Sequence, residues 1–170
     1  MTAQWYAIRS KPRKERVLYQ QVRSRQIETF FPQIRVNPVN PRAARLQSYF
    51  PGYMFVRVDL DKAGLSTFQW MPYSYGLVSF DGEPAAVPDS LIASLKQRLK
   101  DIQAQGGMNF DGLEPGAAVR VTAGPFEGYE AIFDTRLPGE DRVRILLKIM
   151  SDRQLPVELQ VGQIKVTKQD

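Results

Sequence analysis

Thiolate and imidazole chemistry are closed to this chain, because its 170 residues include neither cysteine nor histidine. That removes Cys and His nucleophiles, His general bases and the usual zinc ligand sets. Carboxylate, lysine or serine chemistry is what remains. However, the chain has no Gly-Lys-Ser/Thr phosphate loop, no Gly-x-Ser-x-Gly elbow and no Gly-x-Gly-x-x-Gly fingerprint. Asp59, Asp61 and Glu83 flank turns without a second carboxylate placed to share acid–base work. The expectation is therefore no catalytic, metal or cofactor residues, and a protein that works by binding.

Two sets of residues carry binding chemistry. In Tyr49-Phe50-Pro51-Gly52-Tyr53-Met54-Phe55-Val56-Arg57-Val58-Asp59 a turn feeds a strand with aromatics at alternate positions. Tyr53, Phe55 and Arg57 share one face, and Met54, Val56 and Val58 share the other. The aliphatic face is a core face. The aromatic face is either a second apolar surface left for a partner or one side of a sheet buried on both faces. The second set is basic: Lys11, Arg13, Lys14 and Arg16 crowd one short stretch. Residues 1–100 hold 15 Lys/Arg against 7 Asp/Glu, a balance of +8, whereas residues 101–170 hold 8 against 11, a balance of −3. A basic first half suits a polyanion; solubility charge is the plain alternative.

The elements that must position these residues follow from periodicity. Trp5–Ile8 is a first strand, and Ser10 caps a helix with Pro12 in its first turn that runs to about Gln26 on a stripe of Val17, Leu18 and Val22. Glu28–Val36 is a second strand, followed by a Pro-rich loop or hairpin tip over residues 37–48. After Tyr49–Asp59 come a short helix through Leu65–Trp70, a strand over Gly76–Phe80, an Asp81-Gly82 turn, and a helix from Pro88 whose apolar residues are Leu91, Ile92, Leu95 and Leu99. This order is α+β, with helices over a mostly antiparallel sheet. Gln103–Gly112, with three glycines, is a linker. Beyond it Ala118–Thr122, Tyr129–Asp134, Arg142–Met150, Leu155–Leu159 and Gln163–Val166 read as five short strands of a small barrel. Phe126 and Phe133 are large enough to fill it. The expected division is 1–102, a linker at 103–112, and 113–170. No apolar run approaches the roughly 20 residues of a membrane span, and Trp5–Ile8 is too short for a signal-peptide core. With no disulfide framework, a cytoplasmic protein is the expectation.

The phrase from Glu114 to Tyr129, with Gly124-Pro125-Phe126-Glu127-Gly128 at its turn and Leu155–Leu159 after it, resembles a KOW motif. Together with Trp5-Tyr6 and Phe50-Pro51-Gly52-Tyr53, it makes residues 4–167 similar to the NusG family of transcription elongation factors. The resemblance implies an N-terminal NGN domain, an α/β sandwich that grips the clamp helices of RNA polymerase, joined to a five-stranded KOW β-barrel that recruits other factors. It assigns the clamp-helix patch to Tyr53, Phe55 and Phe80, a polymerase lobe contact to Ser66 and Thr67, and contact with upstream or non-template DNA to Lys11, Arg13, Lys14 and Arg16. Met150 falls where the family barrel presents an apolar side chain to NusE of the ribosome. The implied protein is a monomer with no membrane partner.

Within that family, Gly124–Phe133 and Arg142–Leu147 resemble the specialised RfaH type. Two departures count against a close equivalent. Pro72 replaces an arginine which that type uses to read DNA. Gln47-Ser48 lacks the acidic residue of its interdomain salt bridge, which leaves sequence-specific recruitment and a closed, autoinhibited state as open alternatives; Arg142 could pair across a closed interface, but its expected acidic partner is missing. Val143–Met150 has a mixed periodicity that suits helix or strand. The rival from another class is a ribosome-associated or RNA-binding KOW protein, against which the −3 balance after residue 100 speaks.

Overall fold

The computed structural model describes residues 3–35, 46–104, 118–121, 131–151 and 166–169. Strand β1 (Gln4–Ser10) is the middle of a five-stranded antiparallel sheet. On one side it pairs with β5 (Tyr53–Val58), which in turn pairs with β2 (Glu28–Phe30). On the other side it pairs with β6 (Ser74–Leu77) and β9 (Ala86–Val87). Two hairpins flank the sheet: β3 (Gln33–Arg35) with β4 (Leu46–Ser48), and β7 (Ser79–Phe80) with β8 (Glu83–Pro84). The expected strand Glu28–Val36 is thus broken at Phe31-Pro32, and the second hairpin turns on Asp81 and Gly82, both at positive φ as a tight hairpin turn demands.

Each face of the sheet is covered. Helix α1 (Glu15–Ser24) lays Leu18 and Val22 on the aliphatic face, among Tyr6, Ile8, Met54, Val56, Val58, Phe68, Met71 and Leu77. Val17, expected in that stripe, is 38% exposed. Two short helices, α2 (Leu60–Ala63) and α3 (Leu65–Gln69), bring Phe68 to the same side. Helix α4 (Asp89–Ala104) places Leu91, Ile92 and Leu95 against the opposite face, as the helical spacing predicts, and takes in two residues assigned to the linker.

The start of α1 corrects the sequence reading. Ser10 ends β1, and its hydroxyl donates to the Lys11 carbonyl instead of capping a helix. Arg13 sits at φ 64 in the turn that follows, and the helix begins only at Glu15, whose carboxylate accepts from the Arg13 backbone N–H at 3.1 Å. Lys11, Arg13 and Lys14 therefore lie on the strand-to-helix turn, and of the four basic candidates only Arg16 is helical.

The larger correction lies in the C-terminal part. One expected strand is present, β10 (Ala118–Val121), and it pairs antiparallel with β11 (Val166–Gln169), which shares only Val166 with the expected strand Gln163–Val166. Arg142–Met150 is not a strand. It belongs to helix α5 (Gly139–Ser151), and residues 131–133, read as part of another strand, are helical as well. Both periods are written into this segment. Val143, Ile145, Leu147 and Ile149 alternate as in a strand, while Arg142, Leu146, Ile149 and Met150 line one face of a helix. Burial decides: those four are the buried residues of α5. The expected strand Leu155–Leu159, the Gly124–Gly128 turn with Phe126, and residues 37–45 of the loop or hairpin tip expected over 37–48 lie outside the described residues, while residues 46–48 of that stretch form β4.

Candidate functional site

The Phe50-Pro51-Gly52-Tyr53 turn sets the register of the aromatic strand. Gly52 takes φ 85, the value this turn needs at its third residue, and the Tyr53 N–H closes the turn on the Phe50 carbonyl at 2.9 Å. The turn also docks on β1, since the Ser10 N–H donates to the Gly52 carbonyl at 2.8 Å. From there Tyr53 and Phe55 face away from α1, into a cluster with Trp5, Ala7, Tyr49 and Phe50. The rings are ordered: Phe50 meets Phe55 edge-on at 5.9 Å, Phe30 stacks on Phe55 at 5.9 Å, and Tyr49 meets Phe50 edge-on at 5.2 Å. Phe80 is half-buried and packs on the rim of this cluster.

The C-terminal helix covers this aromatic face. Leu146, Ile149 and Met150 of α5, with Ile132 and Phe133, are buried in the same cluster as Tyr53 and Phe55. Tyr53 is 9% exposed and Phe55 fully buried, so of the two readings of this face the sheet buried on both sides is the one this arrangement shows. Met150, expected on a partner-facing surface, is 4% exposed. A fully buried side chain of this size contributes about 1.5–3 kcal/mol, so Leu146, Ile149 and Met150 supply an apolar part of the cover's stability.

At one end of α5 a single polar residue enters the apolar layer. Arg142 is 3% exposed. Its Nε donates to the Tyr49 carbonyl at 2.9 Å, its Nη1 donates to the Leu137 carbonyl, and its Cζ lies 4.0 Å from the centroid of the Tyr49 ring. The acidic partner of Arg142 across a closed interface is missing, as the sequence indicates, and among the described residues backbone oxygens and a ring face stand in its place. Burial lowers the Arg142 pKa from its ordinary value, with the neighbouring Tyr49 and Asp134 acting the other way. Tyr49 itself is fully buried, and its hydroxyl has no hydrogen-bond partner among the described residues. Burial pushes that phenol up to about 12, against the opposing pull of Arg142 and Arg98. Close approach completes the seam, because a Cβ on Gly139 would lie 2.8 Å from Cδ and Cγ of Pro51. Arg98 of α4 adds a contact over the Phe133 ring at 5.6 Å.

Lys11, Arg13, Lys14 and Arg16 are all exposed, and none makes an ion pair among the described residues. Ser66 is exposed on α3, whereas the Thr67 hydroxyl is turned inward to donate to the Ala63 carbonyl at 2.6 Å. The sequence reading missed two residues beside this basic group. Tyr73 and Tyr75 are exposed, Lys14 Nζ lies 5.4 Å from the Tyr73 ring, and Arg9 and Lys11 lie 5.1 and 5.9 Å from the Tyr75 ring. Their signal was the aromatic density of Trp70–Tyr75, which starts before the strand expected at Gly76. Among the described residues no group of three or more acidic side chains could hold a metal ion, and no helix is long and apolar enough to cross a membrane.

Residues 3–96 match the family model described as transcription termination factor nusG. The transcription termination/antitermination protein NusG of Yersinia pestis is 25% identical over 120 residues, covering 70% of this chain and 65% of that protein. That of Helicobacter pylori is 24% identical over 119 residues, covering 70% of this chain and 66% of that protein. The chain thus spans just under two thirds of the length of these curated relatives. A solved structure described as "Domain interaction in Thermotoga maritima NusG" has a TM-score of 0.46 at 23% identity, covering 75% of this chain and 76% of that one.

Proposed function

The chain belongs to the NusG family, and from that premise we propose that it is a transcription elongation and antitermination factor whose aromatic face binds the clamp helices of RNA polymerase. The observation that carries this reading is the buried seam itself. Tyr53 and Phe55 form an apolar, aromatic surface that the chain covers with a separate helix, α5. A sheet face closed by a removable element suits a docking surface held back from solvent, and aromatic anchors are the usual carriers of interface energy. In this proposal the sandwich, residues 1–102, grips polymerase; 103–112 connects; and 113–170 recruits a second factor such as NusE. Phe80 extends the patch, and Ser66 and Thr67 touch the opposite lobe. Lys11, Arg13, Lys14 and Arg16 contact the phosphates of upstream or non-template DNA. Met150 becomes available to a partner only once α5 leaves the sandwich. The protein acts by binding and not by turnover, so suppression of pausing follows from how it bridges polymerase.

An elongation assay tests this. Added to core polymerase on a pausing template, the protein is expected to shorten pauses, and a folded Tyr53→Ala variant to lose most of that effect. Truncation of an interface anchor costs about 2 kcal/mol or more, a loss of roughly thirtyfold in affinity. Unchanged pause lifetimes with both proteins would contradict the proposal.

A further inference from the structure

We infer that Lys96 and Arg98 of α4 form a cationic rim on the aromatic face, so that the polymerase surface docking there carries carboxylates beside its apolar ridge. This rests on the reading of Tyr53 and Phe55 as the docking face and adds the charge of its partner. Leu91, Ile92, Leu95 and Ile102 of α4 form a stripe buried in the aromatic cluster. At about 100° per residue, Lys96 and Arg98 fall on opposite borders of that stripe. Lys96 Nζ lies 5.2 Å from the Trp5 ring centroid and 5.4 Å from that of Phe30, and Phe30 stacks on Phe55. Arg98 Cζ lies 5.6 Å from the Phe133 ring centroid, and its charge lowers the Tyr49 phenol against the effect of burial. One cation thus stands at the Phe30 end of the face and the other at the Tyr49 end.

Both side chains are exposed, and neither makes an ion pair among the described residues. Carboxylates of the surrounding elements are engaged elsewhere: Glu28 with Arg57, Asp134 with Arg136, Asp141 with Arg144, and Asp101 with the Gln97 side chain. Glu83, opposite Phe80 in the β7–β8 hairpin, is the acidic residue at the Phe80 edge. The cover meets Arg98 with the Phe133 ring and not with a carboxylate. A ring face holds a cation without neutralising it, so the charge stays open to an anion. An acidic partner therefore gains contacts with Lys96 and Arg98 that the cover does not make. That is a differential affinity for the uncovered face, the quantity needed to displace α5. Charges at a rim also steer approach and fix register more than they hold the finished complex.

Stopped-flow association of the full chain with core RNA polymerase, at low and at high salt, tests the rim. Wild-type association is expected to slow about tenfold at high salt, and Lys96→Glu to slow it about tenfold at low salt with dissociation little changed. Lys96→Met keeps the alkyl stem over Trp5 and Phe30 and is expected to associate several-fold more slowly, whereas Lys96→Arg keeps the wild-type rate. Arg98→Glu is read in the Arg142→Ala chain, because in the wild type it also removes the contact with Phe133; it is expected to slow association about tenfold relative to Arg142→Ala alone. Tyr53→Ala is expected to speed dissociation instead. If the Lys96 and Arg98 variants associate at the rates of their parent chains, or faster, while Tyr53→Ala still weakens binding, the rim is overturned and the docking face stands. If polymerase binds none of these chains, both readings fall.

Discussion

Arg142 grips Tyr49 twice over: its Cζ stands 4.0 Å from the centre of the ring while its Nε donates to the backbone carbonyl of the same residue at 2.9 Å. The cover over the aromatic face is thus latched by a buried cation that makes no ion pair among the described residues, with Asp134 the acidic neighbour that acts on it. Such a latch depends on planar geometry and is weakly screened by salt, unlike an exposed ion pair.

Arg142→Ala is therefore expected to loosen α5. Hydrogen bonds from a charged donor contribute about 1.5–3 kcal/mol, and the variant loses two such contacts together with the ring contact. Amide exchange over residues 139–151 reads this directly, with protection falling at least tenfold. Arg142→Lys should not restore it, and wild-type protection should change little between low salt and 1 M salt.

Tyr49→Phe should act in the opposite direction. The Tyr49 hydroxyl is buried without a hydrogen-bond partner among the described residues, a situation that costs about 1–3 kcal/mol. Removing it is expected to stabilise the chain by about 1 kcal/mol in chemical denaturation, with the ring contact to Arg142 retained.

The same phenol gives a pH dependence. Its pKa is raised from 10.0 to about 12, chiefly by burial. The neutral form is the one the fold favours, so its contribution is fully present below about pH 10 and is lost as pH rises towards about 12. Denaturation of wild type between pH 9 and 11.5 should show stability falling more steeply than in Tyr49→Phe; equal slopes would contradict the assignment.

Gly139→Ala sets two effects against each other. Gly139 is the first residue of α5, so alanine gains less there than the ~1 kcal/mol over glycine of a helix interior. However, its Cβ would stand 2.8 Å from two Pro51 ring carbons, and overpacking typically costs about 1–3 kcal/mol. The expected net result is a displaced α5 with reduced exchange protection, while the sandwich stays folded.

Much of the sandwich was legible in the sequence because its signals are local. The two faces of β5 separate as their alternation predicts, Tyr53 and Phe55 on one side and Met54, Val56 and Val58 on the other. Leu91, Ile92 and Leu95 mark α4 by spacing alone. Ser10 misled because a turn through Pro12 and Arg13 intervenes before the helix, and a positive φ at arginine leaves no compositional trace. α5 could not be read from pattern, since its apolar residues satisfy both periods and the choice rests on contacts with Tyr49 and Tyr53, about ninety residues away in sequence. Arg142 was singled out for lacking an acidic partner, whereas its partners are carbonyls and a ring, which sequence patterns do not mark. Tyr75 went unnoticed because an exposed strand aromatic looks like a core one until its burial is known.

In the proposed function, α5 and polymerase compete for the aromatic face of β5. The most direct measurement of that competition is the affinity of core RNA polymerase for the wild-type chain, for Arg142→Ala, and for Arg142→Ala combined with Tyr53→Ala, by fluorescence titration. Arg142→Ala is expected to bind at least several-fold more tightly than wild type, and adding Tyr53→Ala to remove that gain. Equal affinity of all three, with α5 shown by amide exchange to be released in the variants, would contradict it.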